Sequence, residues 1–440
     1  MHKDIFRIAV PNIISNISVP LMGIISTAII GNWSGSTEAI GSLAVGVSIF
    51  NFIYWNCSFV RMGTSGLTAQ AFGADDKGET TAMLVRAVAV SLLLGVFILL
   101  FQRPLGELSL WLMNGDKLVA DYFYARVWAV PAGILLFGLY GWLTGMQNAT
   151  IPMATSIVVN ALHIAASYLL VFRFDMGIVG IAYASVVAQW VGLLLCTLLI
   201  IVFFRRKLQQ IRLREALRLG AMRSFFKING DIMVRTFCVC SVYTFFTAAS
   251  ARMGDNTILA VNTILMQLLM LFSYMNDGFT YAAEALTGRF IGARDKSSLR
   301  RCLQLCTLWT FVTAAISIGL YVGFWREIFT MFMTSGSQAE LSHMLDVAGK
   351  YIGWIIAIPL FAALPFMFDG VMAGATLTRT MRNSMLGATV AFFAIYYALQ
   401  PAMGNDALWL AFTLYIVLRF ILQYLMSHRF NDVFAKADRD

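Results

Sequence analysis

Leu67-Thr-Ala-Gln-Ala-Phe-Gly-Ala-Asp-Asp-Lys77 and Leu286-Thr-Gly-Arg-Phe-Ile-Gly-Ala-Arg-Asp-Lys296 are two versions of one segment. Leu67, Thr68, Gly73, Ala74, Asp76 and Lys77 recur as Leu286, Thr287, Gly292, Ala293, Asp295 and Lys296, at a constant offset of 219 residues. A second echo sets Gly141-xxx-Gly145 against Gly370-xxx-Gly374. Self-similarity at a fixed offset marks a duplicated structural unit. The chain therefore reads as two halves with one architecture, and both echoes stand where an apolar run meets a polar link.

Composition says what surrounds those runs. Of 440 residues, 59% are hydrophobic and only 12% charged, with mean hydropathy +0.74. A soluble domain carries about 25% charged residues, so most of this surface must face lipid. Thirty-four Phe and ten Trp suit bilayer contact and interfacial belts. The net charge of +9 does not point to nucleic acid, because the basic residues sit in short gaps between apolar runs. The six cysteines lie in or at the ends of such runs and imply neither a disulfide framework nor a metal site. The first run, from about Ile8, is too long for a signal-peptide core and lacks a cleavage site.

A helix needs about 20 apolar residues to cross a bilayer. That ruler predicts twelve spans, at 8–31, 40–72, 80–101, 119–145, 151–172, 178–204, 224–250, 257–291, 300–323, 348–373, 383–400 and 406–427. An even number puts both termini on one side. Of the Lys and Arg residues in the connections, 22 fall on that side and seven, Arg126 among them, on the other. Basic residues are retained in the cytoplasm, so both termini are expected there, in a multi-pass protein of the cytoplasmic (inner) membrane. Eight of the 22 form a cluster from Arg205 to Lys227, including Arg212, in the one long charged link. The expected organisation is an all-α integral membrane protein: twelve transmembrane helices in two pseudo-symmetric six-helix lobes, 1–204 and 224–440, joined by a cytoplasmic linker at 205–223. Two like halves in one chain favour a monomeric transporter with its substrate site between them.

Charges inside a bilayer are costly and are functional candidates by default. Arg61, Asp231, Arg235, Asp277, Glu284, Asp369 and Arg419 fall within spans. Asp369 follows Pro359 and Pro365, which can kink its helix toward a cavity. Its carboxylate could exchange a proton or attract a cationic substrate. Asp277 and Glu284, seven apart, share a helix face: a cation path, or one of them locked to a basic residue. Asp231 and Arg235, four apart, are spaced to pair as a structural or gating ion pair. Arg419 can snorkel toward the cytoplasm. In the first half every acid falls in a connection or at a helix end, so a proton site built on first-half carboxylates is expected to be absent. His163 is the deep titratable group there, and Asn160 is a possible cavity residue.

Phe59-Val-Arg-Met-Gly-Thr-Ser-Gly-Leu-Thr-Ala-Gln-Ala-Phe-Gly73 resembles the multidrug and toxic compound extrusion (MATE) family, in the branch named for DNA-damage-inducible protein F. Asp277-Gly-Phe-Thr-Tyr-Ala-Ala-Glu284, Asp369-Gly-Val-Met-Ala-Gly-Ala-Thr and Met381-Arg-Asn-Ser-Met385 add to it, in order along the chain. The resemblance implies a two-lobed exporter of amphiphilic, often cationic organic compounds, driven by inward proton or sodium flow and needing no cofactor. It also implies that Asp369 matches a cation-coupling acid. The chain departs from the family where Ser26 stands in place of an aspartate before Thr-Ala-Ile-Ile-Gly31. It departs again at Ser167, another position where an aspartate is common, with His163 one turn earlier.

Cation antiport of small organic compounds is thus the expected function, with Asp369, Asp277 and Glu284 as coupling or substrate residues. Ser26, His163, Ser167 and Asn160 are expected to line a first-lobe cavity. A lipid-linked or polysaccharide precursor flippase would prefer more deep basic residues. A membrane-embedded enzyme would need catalytic aspartates, a His-rich metal set or a nucleophile with a base, and only four His are present.

Overall fold

The computed structural model describes residues 1–209, 213–332, 338–428 and 431–438. Arg212 of the basic cluster, Arg429 and Arg439 lie outside the described residues. Twelve helices among them are long and apolar enough to cross a membrane. They are His2–Ser34, Thr37–Gly73, Lys77–Leu100, Lys117–Gly145, Thr150–Arg173 and Gly177–Phe204, then Leu219–Arg252, Asn256–Gly292, Lys296–Met331, Leu341–Gly374, Thr378–Met403 and Asn405–Met426. Most run past the expected spans at both ends, because helical hydrogen bonds continue where the side chains turn polar. A further helix, Gln102–Met113, lies in the connection expected after the third span, with Trp111 and Leu112 exposed.

Two spans are interrupted in ways that matter for the polar groups. The second breaks at Ser58, between Thr37–Cys57 and Phe59–Gly73. The fourth passes through a tight turn at Val127–Ala129, followed at once by Pro131, which has no N–H to offer the helix.

The quoted repeat is a helix-to-helix joint. Asp75 and Arg294 both take left-handed backbone, φ 55° in each. The amides of Asp76 and Asp295 reach back to the carbonyls of Ala71 and Phe290, at 3.0 and 2.9 Å. Those of Asp75 and Arg294 reach Phe72 and Ile291. This is the paired bonding that closes a helix C-terminus. Each repeated aspartate then caps the next helix, Asp76 on the Glu79 amide at 2.8 Å and Asp295 on the Ser298 amide at 2.9 Å. Hydrogen bonds from Ser298 and Ser297 hold the Asp295 carboxyl down at about 2. The same joint recurs after the glycine echoes, with left-handed Gln147 and Thr376.

The glycine echoes mark the tightest helix crossings. A Cβ on Gly141 would strike the carbonyl of Arg61, and one on Gly370 the carbonyl of Thr280. A Cβ on Gly145 would lie 2.7 Å from the Ser65 carbonyl, and one on Gly374 would strike the Glu284 carbonyl. Arg61 to Thr280 and Ser65 to Glu284 are again offsets of 219, so the duplicated sequence encodes a duplicated backbone contact. Gly374→Ala should therefore destabilise the protein by about 1–3 kcal/mol through overpacking. Gly353→Ala on the same helix, where a Cβ meets nothing within 4 Å, should gain a few tenths from helix propensity. Thermal unfolding of the two purified variants checks the contrast.

The contacts divide the chain into Val10–Met233 and a second unit of Met1–Ala9 with Val234–Asp440. The division falls within the seventh span, past the linker expected at 205–223. The described part of that link is stitched to the third span: Arg86 donates to the Ala216 carbonyl at 2.7 Å, and the Gln209 amide to Thr81 at 3.1 Å. Residues 1–9 join the second unit because Phe6 packs on Trp309 and Phe279, with ring centres at 4.6 and 6.0 Å. Each unit has its own apolar core, around Phe50, Tyr122 and Phe123 in the first and Phe246, Phe272, Phe392 and Trp409 in the second. All six cysteines are free thiols.

Candidate functional site

A titratable side chain sits in a buried polar cluster in each lobe. In the first lobe the cluster centres on His163, 3% exposed. Its Nε2 lies 3.1 Å from the Ser26 hydroxyl and 3.4 Å from that of Ser167. Its Nδ1 lies 3.3 Å from the hydroxyl of Ser185. The imidazole thus joins the first, fifth and sixth spans. Ser26 and Ser185 also donate to carbonyls of their own helices, Met22 at 2.9 Å and Ile181 at 3.2 Å. A hydroxyl both donates and accepts, so this ring can serve an imidazole with one proton or two. Of the four residues expected here, Ser26, His163 and Ser167 come together. Asn160 turns away and donates to Ser18 at 2.7 Å.

The second cluster centres on Asp369, 2% exposed on the tenth span. Arg235 donates to its Oδ2, Gln423 donates to its Oδ1 at 2.6 Å, and Arg419 stands 3.6 Å from Oδ2. Arg419 also lies over the Phe366 ring, 4.9 Å from its centre. One carboxylate is therefore held by two guanidiniums and an amide from the seventh and twelfth spans.

This geometry revises two expectations. Arg235 was expected to pair with Asp231, one turn earlier; the carboxylate it faces is Asp369, which tertiary packing delivers from another helix. Arg419 was expected to snorkel to the cytoplasm; its side chain is 3% exposed and turned to Asp369. Asp277 is partly buried and within electrostatic reach of Arg235. Glu284, on the same helix, is fully buried where Gly374 crosses it. Asp231 is 5% exposed.

The MatE family model matches residues 11–169 and 232–398, one stretch in each half of the chain. The chain belongs to the MatE family. DNA damage-inducible protein F of Escherichia coli (strain K12) is 34% identical over 427 residues, covering 95% of this chain and 90% of that protein. A probable multidrug resistance protein NorM of Synechocystis is 22% identical over 429 residues, 91% of this chain and 87% of the relative. Among solved structures, a MOP superfamily transporter from Pyrococcus furiosus superposes with TM-score 0.86 at 18% identity, over 100% of this chain and 97% of that one. A multidrug resistance MATE family transporter solved facing outward gives 0.85 at 17% identity, with the same coverage. The fold is thus that of a MATE transporter, and the chain is a transporter of small molecules and not an enzyme.

For a MATE chain, two residues of these clusters, and Arg126 outside them, were illegible in the sequence. Ser185 and Gln423 are uncharged residues on long apolar helices and carry no local signal. Arg126 counts among the outer-side basic residues although it falls within the expected fourth span at 119–145, and it is 8% exposed. Its position just before the Val127–Ala129 turn and Pro131 was the one available hint.

Proposed function

We propose that this MATE transporter exports amphiphilic organic compounds, cationic ones among them, in exchange for an inward-moving cation. Access alternates between the two sides of the cytoplasmic membrane, with both termini inside and a single chain as the working unit. The names of the relatives support drug export, and the excess of basic residues on one side of the membrane supports the orientation.

The observation that carries the coupling is His163 in its ring of Ser26, Ser167 and Ser185. Up to Phe204 the acids fall in connections or near helix ends, and an imidazole among hydroxyls can take up and release a proton without losing its hydrogen bonds. In the second lobe Asp369 holds Arg235 and Arg419, and Asp277, within electrostatic reach of Arg235, is a further acid for a cation or a cationic substrate. Glu284 is a further acid of the same face.

Proteoliposomes loaded with a cationic fluorescent dye test this reading. Efflux should follow an imposed proton gradient and be lost when the gradient is collapsed. Efflux that follows only a sodium gradient would remove His163 from the coupling role, and no efflux under either would remove the exchange itself.

A further inference from the structure

Arg126 ends the helical segment Lys117–Arg126 on the fourth span, 8% exposed. Its Nη1 donates to the Tyr122 hydroxyl, while its Nε–H is buried with no acceptor. Among the described residues no carboxylate forms an ion pair with it. Two rings lie beside it: the guanidinium carbon is 4.9 Å from the centre of Phe50 and 5.5 Å from that of Tyr122.

Tyr54 is a second unsatisfied group. Its hydroxyl is buried without a partner, and it lies within reach of the charge on Arg126. Both tyrosines are fixed by reciprocal packing. A Cβ on Gly133 would lie 2.5 Å from the Tyr54 ring, and one on Gly46 2.5 Å from the Tyr122 ring. Each ring therefore rests on the backbone of the other's span.

A buried guanidinium without a counter-charge is strongly disfavoured in a bilayer, and such a group is normally paired. The fold itself does not ask for it. The offset that carries Gly141 to Gly370 carries Arg126 to Ile355, an apolar residue 1% exposed. The second lobe fills the same helix position with a hydrocarbon.

We propose that Arg126, Tyr54 and Tyr122 form a recognition site for the oxyanion of an amphiphile, whether an aromatic carboxylate or sulfonate or the phosphodiester of a lipid. The Nε/Nη2 edge of the guanidinium offers two parallel N–H donors, the geometry that grips a carboxylate, sulfonate or phosphate. The Tyr54 hydroxyl donates a third bond. The site goes beyond the export reading, since it concerns what the first lobe binds and not what drives transport.

Calorimetric titration of the purified protein in detergent tests it, with naphthalene-2-sulfonate as the probe. Naphthalene-2-methanol and 2-naphthylmethylammonium match its body with no charge and with the opposite charge. The sulfonate should bind at least tenfold more tightly than either control. Arg126→Gln should weaken it tenfold or more, Arg126→Lys less, and Tyr54→Phe a few-fold. Should Arg126→Gln fail to fold, Tyr54→Phe carries the test, because it removes one hydroxyl from a ring that keeps its packing. Native mass spectrometry of protein extracted from membranes separates the sources. Anionic phospholipid retained by the wild type and lost from the variant identifies a headgroup; sulfonate binding with no retained lipid identifies a free organic acid. No preference for the sulfonate together with no retained lipid, or wild-type affinity in every foldable variant, overturns the site.

Discussion

Asp369→Ala is expected to destabilise the protein by about 3–5 kcal/mol, the usual result of stripping one partner from a buried ion cluster. The variant would leave Arg235 and Arg419 facing one another with side chains 18% and 3% exposed. Two cations would then share a dry site without the carboxylate that now answers both. Removing one of them should help, so Asp369→Ala with Arg235→Met is expected to recover more than half of the loss. Arg235→Met alone should be milder, because Asp369 keeps Gln423 at 2.6 Å and Arg419 at 3.6 Å. Thermal midpoints of the three variants in detergent check the series. A conservative Asp369→Asn protein that stays abundant and folded while proton-driven efflux disappears would instead return Asp369 to the coupling role its family position implies.

The second large effect is expected at His163. His163→Gln keeps a side chain able to bond Ser26, Ser167 or Ser185 but removes the titrating ring. Proton-driven dye efflux should fall at least tenfold while folded abundance and dye binding change little. A tenfold loss in rate corresponds to about 1.4 kcal/mol in the barrier. Ser185→Ala should be weaker, since Nε2 retains Ser26 at 3.1 Å and Ser167 at 3.4 Å. Efflux from His163→Gln vesicles at the wild-type rate would place the coupling proton elsewhere, with Asp277 the next group to test.

Together these variants separate two uses of buried charge. Asp369, Arg235 and Arg419 answer one another, so their removal is read first in stability. His163 is surrounded by neutral hydroxyls, so its replacement is read first in transport. Arg126 belongs to neither pattern, which is why its variants are read in ligand binding.

Much of the architecture was legible before any coordinates. Twelve apolar runs fix twelve helices, because a bilayer leaves backbone groups no partner but their own helix. The repeated Leu-Thr, Gly-Ala and Asp-Lys pairs fix a duplicated joint, because the left-handed closing residue and the capping aspartate act over a few neighbouring positions. Ser26 and Ser167 stood out in the sequence as departures from the resembled family, and packing brings both to His163.

What the sequence by itself determined is therefore local or periodic: the spans, the duplicated helix joints and the family. What only the tertiary structure decided is pairing. Arg235 was four residues from one acid and 134 from another, and it faces the distant one. Ser185 and Gln423 gained meaning only when packing brought a polar atom opposite them, and Tyr54 only when packing buried its hydroxyl without one. Arg126 counted as an outer charge, and packing against Phe50 and Tyr122 buries it. Helix formation is governed by neighbours along the chain, whereas the partner of a buried charge is set by which helix faces cross, and sequence spacing does not encode that crossing.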